Sequence, residues 1–146
     1  MDLFKAIDIA SSGMAAQRAR LNVISMNLAN ANTTRTAQGG PYRRKTVVFE
    51  SMPVARSFSE HLLESIREPQ VHGVRVLGVV PVKGPFKKIY DPSHPDADED
   101  GYVSLPNVNL VQEMALMLNA NRGYEANAAA IKTAKEMALK ALEIGR

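Results

Sequence analysis

The sequence predicts a mainly α protein with a small β module: long N- and C-terminal helices packed as a coiled coil, and a short β-strand insert between them. Apolar residues recur with alternating gaps of four and three at both ends of the chain, the spacing of a heptad seam. The stretch between the seams is rich in Pro, Gly and Val instead. The apolar 45% of the chain is mainly Ala, Val, Leu, Ile and Met, with no Trp, four Tyr and four Phe. Such a core suits helix packing better than a deep pocket. The chain accordingly divides into an N-terminal helix over 1–32, a loop and small β module over 33–106, and a C-terminal helix over 107–146.

In the first segment Leu3, Ile7, Ala10, Met14, Gln17, Leu21, Ile24, Leu28 and Ala31 form the seam, with one polar break at Gln17. A helix of about 30 residues is roughly 45 Å long. Asp2 is placed to cap it and to meet the positive end of its dipole. Ala6, Ser12, Gly13, Ala15, Ala16 and Ala19 lie on its other sides and invite close approach by further helices. Gly13, and Gly123 in the last segment, each cost a helix interior about 1 kcal/mol relative to Ala. Tight packing would explain both.

The last segment repeats the design, with Leu110, Met114, Met117, Asn121, Tyr124, Ala128, Ile131, Ala138 and Leu142 on one stripe that Lys135 interrupts. Asn109 followed by Gln112 resembles a capping box, and Pro106 blocks extension backwards. Gly145 stands where a C-cap glycine would.

In the middle, Thr46 to Phe49, Val74 to Val82 and Tyr102 to Leu105 carry the β-branched residues, punctuated by Gly73, Gly78, Pro81, Gly84, Pro85 and Pro92. These predict a small sheet of short strands. Phe58, Leu62 and Ile66 follow a Ser57/Glu60 capping pair and predict a short amphipathic helix over 57–67.

Several function classes are excluded or weakened. The absence of cysteine rules out disulfides, thiolate chemistry and cysteine-based zinc sites. A net charge of +3, from 18 basic and 15 acidic residues spread along the chain, is too mild a field to imply nucleic acid. Asp2, Asp8, Ser11 and Ser12 interrupt the first stretch, which is therefore not an ordinary secretory signal. No apolar run approaches the roughly 20 residues that a bilayer-crossing helix needs.

Asp96 to Gly101, DADEDG, matches the first, third, fifth and sixth positions of a calcium-binding EF-hand loop, and Val103 suits the eighth. A calcium-binding interaction module centred on Asp96, Asp98 and Asp100 is the alternative function. Against it, Asn107 stands at the twelfth position where a bidentate Glu is needed, and Pro92 and Pro95 prevent an entering helix. The bland alternative is an acidic turn between strands. His61, His72 and His94 are scattered, and His94 beside Asp91 and Asp96 makes at most a weak metal site. GGPYRRKT, residues 39–46, ends like a phosphate loop, but Arg44 replaces the glycine that lets backbone amides approach a phosphate. Arg43, Arg44 and Lys45 have only Tyr42 as aromatic company, too little to suggest nucleic acid. No catalytic residue, cofactor site, metal site or small-molecule substrate is expected.

SMNLANANTTRTAQGGPYRRK, residues 25–45, resembles the asparagine-rich segment that closes the N-terminal helix of flagellar rod and hook proteins. The last segment, PNVNLVQEMALMLNANRGYEANAAAIKTAKEMALKAL, is similar to the C-terminal helix of that family. KKIYDPSHPDADEDGYVSLPNV, residues 87–108, is similar to a segment peculiar to its proximal-rod members, and the short middle segment fits them too. Residues 83–86 depart from the pattern, reading KGPF where that family more often has an acidic residue and Ser-Pro.

The resemblance implies a structural subunit of the periplasmic rod of the flagellar basal body, which transmits torque from motor to hook. It implies export through the flagellar type III apparatus without a cleaved signal peptide. The implied partners are copies of the chain, other rod proteins, and basal-body ring and export-gate components at the rod base. A heterologous contact repeated with a rotation and a rise makes such a tube. The seam residues named above, with Asn27, Asn30 and Asn32, are the expected subunit-packing residues. The three asparagines fall where the first helix ends, and their amides are expected to satisfy helix-end carbonyls and neighbouring subunits. The terminal helices are expected to be largely unfolded in the free monomer, because closing a loop of about 100 residues costs on the order of 4 kcal/mol.

Overall fold

The computed structural model describes residues 3–53 and 72–144. The expected cap at Asp2, the helix over 57–67 and the C-cap at Gly145 fall outside the described residues. The order of elements is α1 (Leu3–Ala29), β1 (Lys45–Pro53), β2 (His72–Pro81), β3 (Lys87–Tyr90), β4 (Tyr102–Leu105) and α2 (Leu110–Ile144). This is the expected mainly α protein with a small β component.

Helix α1 stops at Ala29 because the next residues turn their hydrogen bonds inward. Asn30 gives both its backbone N–H and its side-chain Nδ2 to the carbonyl of Met26, at 3.1 and 2.9 Å. Ala31 N then reaches only back to Leu28 O, at 3.2 Å. A side chain that competes for helix carbonyls in this way ends the α geometry. Gly39 and Gly40, with φ of 84° and 73°, reverse the chain. Tyr42 N then returns to Thr33 O at 3.0 Å. At the other end of the module Asn109 caps α2, its Oδ1 accepting from the N–H groups of Val111 and Gln112 at 3.0 and 3.2 Å.

The strands expected over 46–49, 74–82 and 102–105 lie in β1, β2 and β4, with β2 ending at Pro81. A fourth, β3, was hidden in KKIY, whose paired lysines carry no strand signature. In place of one small sheet there are two two-stranded sheets, β1 with β2 and β3 with β4. In the second, antiparallel pairing sets Lys88 opposite Ser104, Ile89 opposite Val103 and Tyr90 opposite Tyr102.

The described residues fall into two compact units. One draws on residues 3–18, 49–53, 72–77 and 121–144. Among the described residues its buried apolar side chains are all alanine, Ala10, Ala16 and Ala134. Small side chains here mean short distances. A Cβ at Gly13 would sit 2.8 Å from Asn127 Nδ2, and one at Gly123 would sit 3.0 Å from Gln17 Nε2. Each helix thus offers a glycine to an amide of the other, i to i+4 along each, in antiparallel register. Ser12 is approached by a strand rather than by a further helix: its Oγ accepts from Val74 N at 3.1 Å while donating to Ile9 O at 2.7 Å. Gly73 makes that approach possible, since a Cβ there would lie 3.0 Å from Ser12 Oγ.

The other unit draws on residues 19–48 and 78–120. Its core holds Val23, Ile24, Ala31, Tyr42, Val103 and Ala120 around two buried polar residues, Asn27 and Glu113.

Candidate functional site

The best-ordered constellation lies in this second unit and is structural in chemistry. Asn27, near the end of α1, is 1% exposed, and Glu113, in the first turn of α2, is fully buried. Asn27 Nδ2 donates to Glu113 Oε2 at 3.1 Å and to the carbonyl of Lys45 at 2.9 Å. Its Oδ1 accepts from Tyr42 Oη at 3.0 Å and from Lys45 N at 2.9 Å. Both amide hydrogens and both oxygen lone pairs are therefore used, the full capacity of an asparagine. Glu113 Oε1 accepts from Arg44 Nε at 2.6 Å, completing an ion pair. One amide thus joins α1, the Tyr42 loop, the first residue of β1 and α2.

Burial, and secondarily the Glu113 carboxylate, raise the Tyr42 phenol above its ordinary value of 10.0. Beside the network Asn107 Oδ1 accepts from Arg44 N at 3.1 Å, and Arg43 lies over the Phe86 ring at 4.5 Å. The run Arg43-Arg44-Lys45 is thus partly committed inward, and Arg44 is no phosphate ligand.

The three asparagines at the end of α1 have different surroundings. Asn27 is the buried junction just described and bonds no carbonyl of the helix end. Asn30 satisfies the Met26 carbonyl as expected, and its Oδ1 accepts from Thr33 Oγ1 at 3.2 Å. Asn32 is exposed.

Along α1, Ala10 and Ile24 of the stripe are buried and Leu3, Ile7, Met14, Gln17, Leu21 and Leu28 are half-buried; Ala31, in the turn after the helix, is buried. Gln17 Oε1 is buried there without a hydrogen-bond partner.

Along α2 the stripe is split. Met117, Tyr124, Ile131 and Ala138 are half-buried, whereas Leu110, Met114, Asn121, Ala128 and Leu142 are exposed. The inward positions that alternate with the first group are Glu113, Ala120, Asn127 and Ala134, seven residues apart. Small or hydrogen-bonded side chains take the inner line because the helices approach closely; the larger apolar residues one step round face outward. Val111, Leu118, Met137 and Leu139 join them on the exposed surface.

The acidic turn is closed on itself. Asp96 Oδ2 accepts from Thr34 Oγ1 at 2.7 Å, and Asp98 Oδ1 from Tyr102 N at 2.7 Å. Among the described residues no three carboxylates or imidazoles converge, so the calcium loop loses its geometric basis. His94 Nδ1 accepts from Asp96 N at 3.1 Å, which occupies that lone pair. Asp91 accepts from the hydroxyl and N–H of Ser93 at 2.6 and 3.2 Å. The hydroxyl bond chiefly holds its carboxyl below the ordinary value of 3.8.

Sequence reasoning missed Tyr42, Arg44 and Glu113 as a set. Glu113 in a first helical turn has an ordinary explanation in the helix dipole, and nothing local marks it as buried.

Two family models match the chain: one for flagella basal body rod proteins, over residues 7–35, and one for the C-terminal region of flagellar basal body rod FlgEFG proteins, over residues 99–144. The chain is 44% identical over 149 residues to the flagellar basal-body rod protein FlgC of Borreliella burgdorferi, covering 99% of this chain and 98% of that one. It is 40% identical over 146 residues to the FlgC protein of Salmonella typhimurium, and 40% identical over 152 residues to that of Bacillus subtilis, with full coverage of both chains in each case.

Proposed function

We infer that this chain, which belongs to the FlgC family of flagellar basal-body rod proteins, is a structural subunit of the bacterial flagellar rod. The observation that carries this is full-length similarity to rod proteins from Borreliella burgdorferi, Salmonella typhimurium and Bacillus subtilis, at 40% to 44% identity. The buried network supports a structural role, since its hydrogen bonds join separate chain segments.

The finer reading is that segments 1–32 and 107–146 are axial helices that pack as a coiled coil with each other and against neighbours, with 33–106 as the module between. The antiparallel glycine–amide contacts between α1 and α2 support the first half. The apolar residues left exposed on α2 support the second, because a row of Leu and Met on water is stabilised by covering it. Copies of the chain and other rod proteins are the proposed cover, with ring and export-gate components at the rod base. The proposed location is the periplasmic rod, reached by type III export without a cleaved signal peptide. Each added subunit brings burial without a new intrachain loop, so mass action favours the ordered helices.

The test is incorporation. An epitope-tagged chain expressed in a strain lacking its own copy should restore swimming and co-purify with intact basal bodies. A chain that restores nothing and is absent from purified rods overturns the assignment.

A further inference from the structure

The β3–β4 hairpin carries an unusual surface for so small an element. Side chains alternate across a strand pair, so Lys88, Tyr90, Tyr102 and Ser104 share one face, and buried Val103 belongs to the other. Tyr90 is 64% and Tyr102 43% exposed. They nonetheless hold each other edge to face, with ring centroids 5.3 Å apart and planes at 67°. Aromatic residues held rigidly at the surface are the usual anchors of protein interfaces.

The face is also bipolar. Lys88 stands at one end of it, with Lys87 at the same end of the hairpin but on the opposite face; Glu99 and Asp100 stand in the connecting loop at the other end, all four exposed. None of these four makes an ion pair among the described residues.

The loop is held in shape. Asp91 N reaches Gly101 O at 3.0 Å and Asp98 N reaches Tyr102 O at 2.9 Å. Gly101 has φ of 80°, and a Cβ there would lie 3.0 Å from Tyr90 Cε2 and 3.3 Å from Pro92 Cβ. The acidic end therefore costs little ordering on binding.

We propose that this face of the hairpin is a contact surface for a second copy of the chain, with the acidic loop of one copy on Lys88 of the next and the tyrosine pair at the centre. Charge complementarity selects the occupant: a strip with one sign at each end is satisfied by the same strip offset or reversed. A partner of uniform charge would neutralise one end and be repelled by the other. The proposal rests on the rod-subunit assignment only for the presence of neighbouring copies.

The test uses the purified full chain and two variants, Lys88→Glu and Glu99→Lys/Asp100→Lys. Both should melt like the parent. Sedimentation at low salt should show the parent self-associating, weakening as salt rises, and each variant alone associating roughly tenfold or more weakly. Mixed, the two variants should recover association, because an all-acidic strip then meets an all-basic one.

Tyr90→Ala should weaken parent and mixed pair alike. Failure of the parent to associate at concentrations up to about 1 mM, unchanged association of either variant, or no recovery on mixing overturns the contact. Incorporation of the tagged chain into rods is read separately. Charge-reversed chains entering rods at the parent's level sink this contact and leave the rod assignment standing; a salt-sensitive hairpin contact in a chain absent from rods does the reverse.

Discussion

Asn27 Nδ2 lies 3.1 Å from Glu113 Oε2, joining positions 86 apart in the chain. Truncating Asn27 to Ala removes a donor from a fully buried carboxylate and strands the Tyr42 hydroxyl and both backbone groups of Lys45. Groups left buried without partners cost more than the bonds were worth. Asn27→Ala should lower unfolding free energy by about 3 kcal/mol in urea titration. Asn27→Ala with Glu113→Ala should cost less than the sum of the two singles, with a coupling of about 1 to 3 kcal/mol. Additive costs would mean that the two residues do not act as one junction.

Part of this architecture was legible in the sequence and part was not, for identifiable reasons. The inward face of α1 follows from spacing, because the Leu, Ile and Met residues at the heptad positions are buried or half-buried, while Phe4 and Met26, off that stripe, are exposed. On α2 the same rule chose Leu110, Met114 and Leu142, which are exposed. Close approach selects for smallness and satisfied polarity, so Ala120, Ala134 and Glu113 are the buried residues. Hydrophobicity alone ranks these below leucine. Asn27 looked like a helix terminator because its bonding partners lie 18 and 86 residues away. Long-range pairing of this kind leaves no periodic trace.

The glycine–amide contacts predict a specific rescue. Gly13→Ala gains about 1 kcal/mol of helix propensity, yet its Cβ would meet Asn127 Nδ2 at 2.8 Å. The single substitution should therefore be neutral or destabilising. Adding Asn127→Ala clears the space, and the double variant should be more stable than Asn127→Ala alone. Thermal melts of rods assembled with each of the four chains decide it: Gly13→Ala stabilising equally with and without Asn127 would show that the helices do not meet there.

Stability should fall on the alkaline side. Tyr42 has a folded-state value raised above 10.0, so its proton is held more tightly in the folded chain than in the unfolded one. Its contribution is complete below about pH 10 and is lost as pH rises from there through the folded value. Melting temperature should drop over that window, and Tyr42→Phe should flatten the drop while costing the Asn27 hydrogen bond. An identical alkaline slope in Tyr42→Phe would assign the loss to other groups.

Charges placed on half-buried and exposed helix positions should separate folding from assembly. Leu28→Asp in α1 puts a carboxylate in a half-buried position and should cost the monomer roughly 2 to 4 kcal/mol as well as rod assembly. Ile131→Asp, half-buried in the part of α2 that orders on assembly, should stop assembly alone. Leu118→Asp and Leu142→Asp lie on exposed surface and should leave the monomer's melting temperature within a few degrees while abolishing motility. Export into the medium serves as the control for delivery. Fully motile cells carrying both exposed-face variants would show that this surface stays uncovered in the rod.

Hydrogen exchange on dilute monomer should reveal a gradient along each helix. Closing a loop of about 100 residues costs on the order of 4 kcal/mol, and a helix pair standing alone is marginal in water. From that alone, residues 1–32 and 110–146 would all exchange fast. The buried junction changes the expected boundary, because Asn27 and Glu113 sit in a unit with Tyr42, Ile24 and Val103 in its core, and that burial offsets the closure cost locally. Beyond it the pairing relies on alanines, two glycines and the buried, unpartnered Gln17 Oε1. An orphaned acceptor of that kind costs about 1 to 3 kcal/mol. Protection is therefore expected over roughly residues 19–31 and 110–120, with fast exchange over 3–18 and 121–144 until rods assemble. Slow exchange at both distal ends in a verified monomer would mean that the seam is stable without neighbours, and ordering on assembly would have to be abandoned.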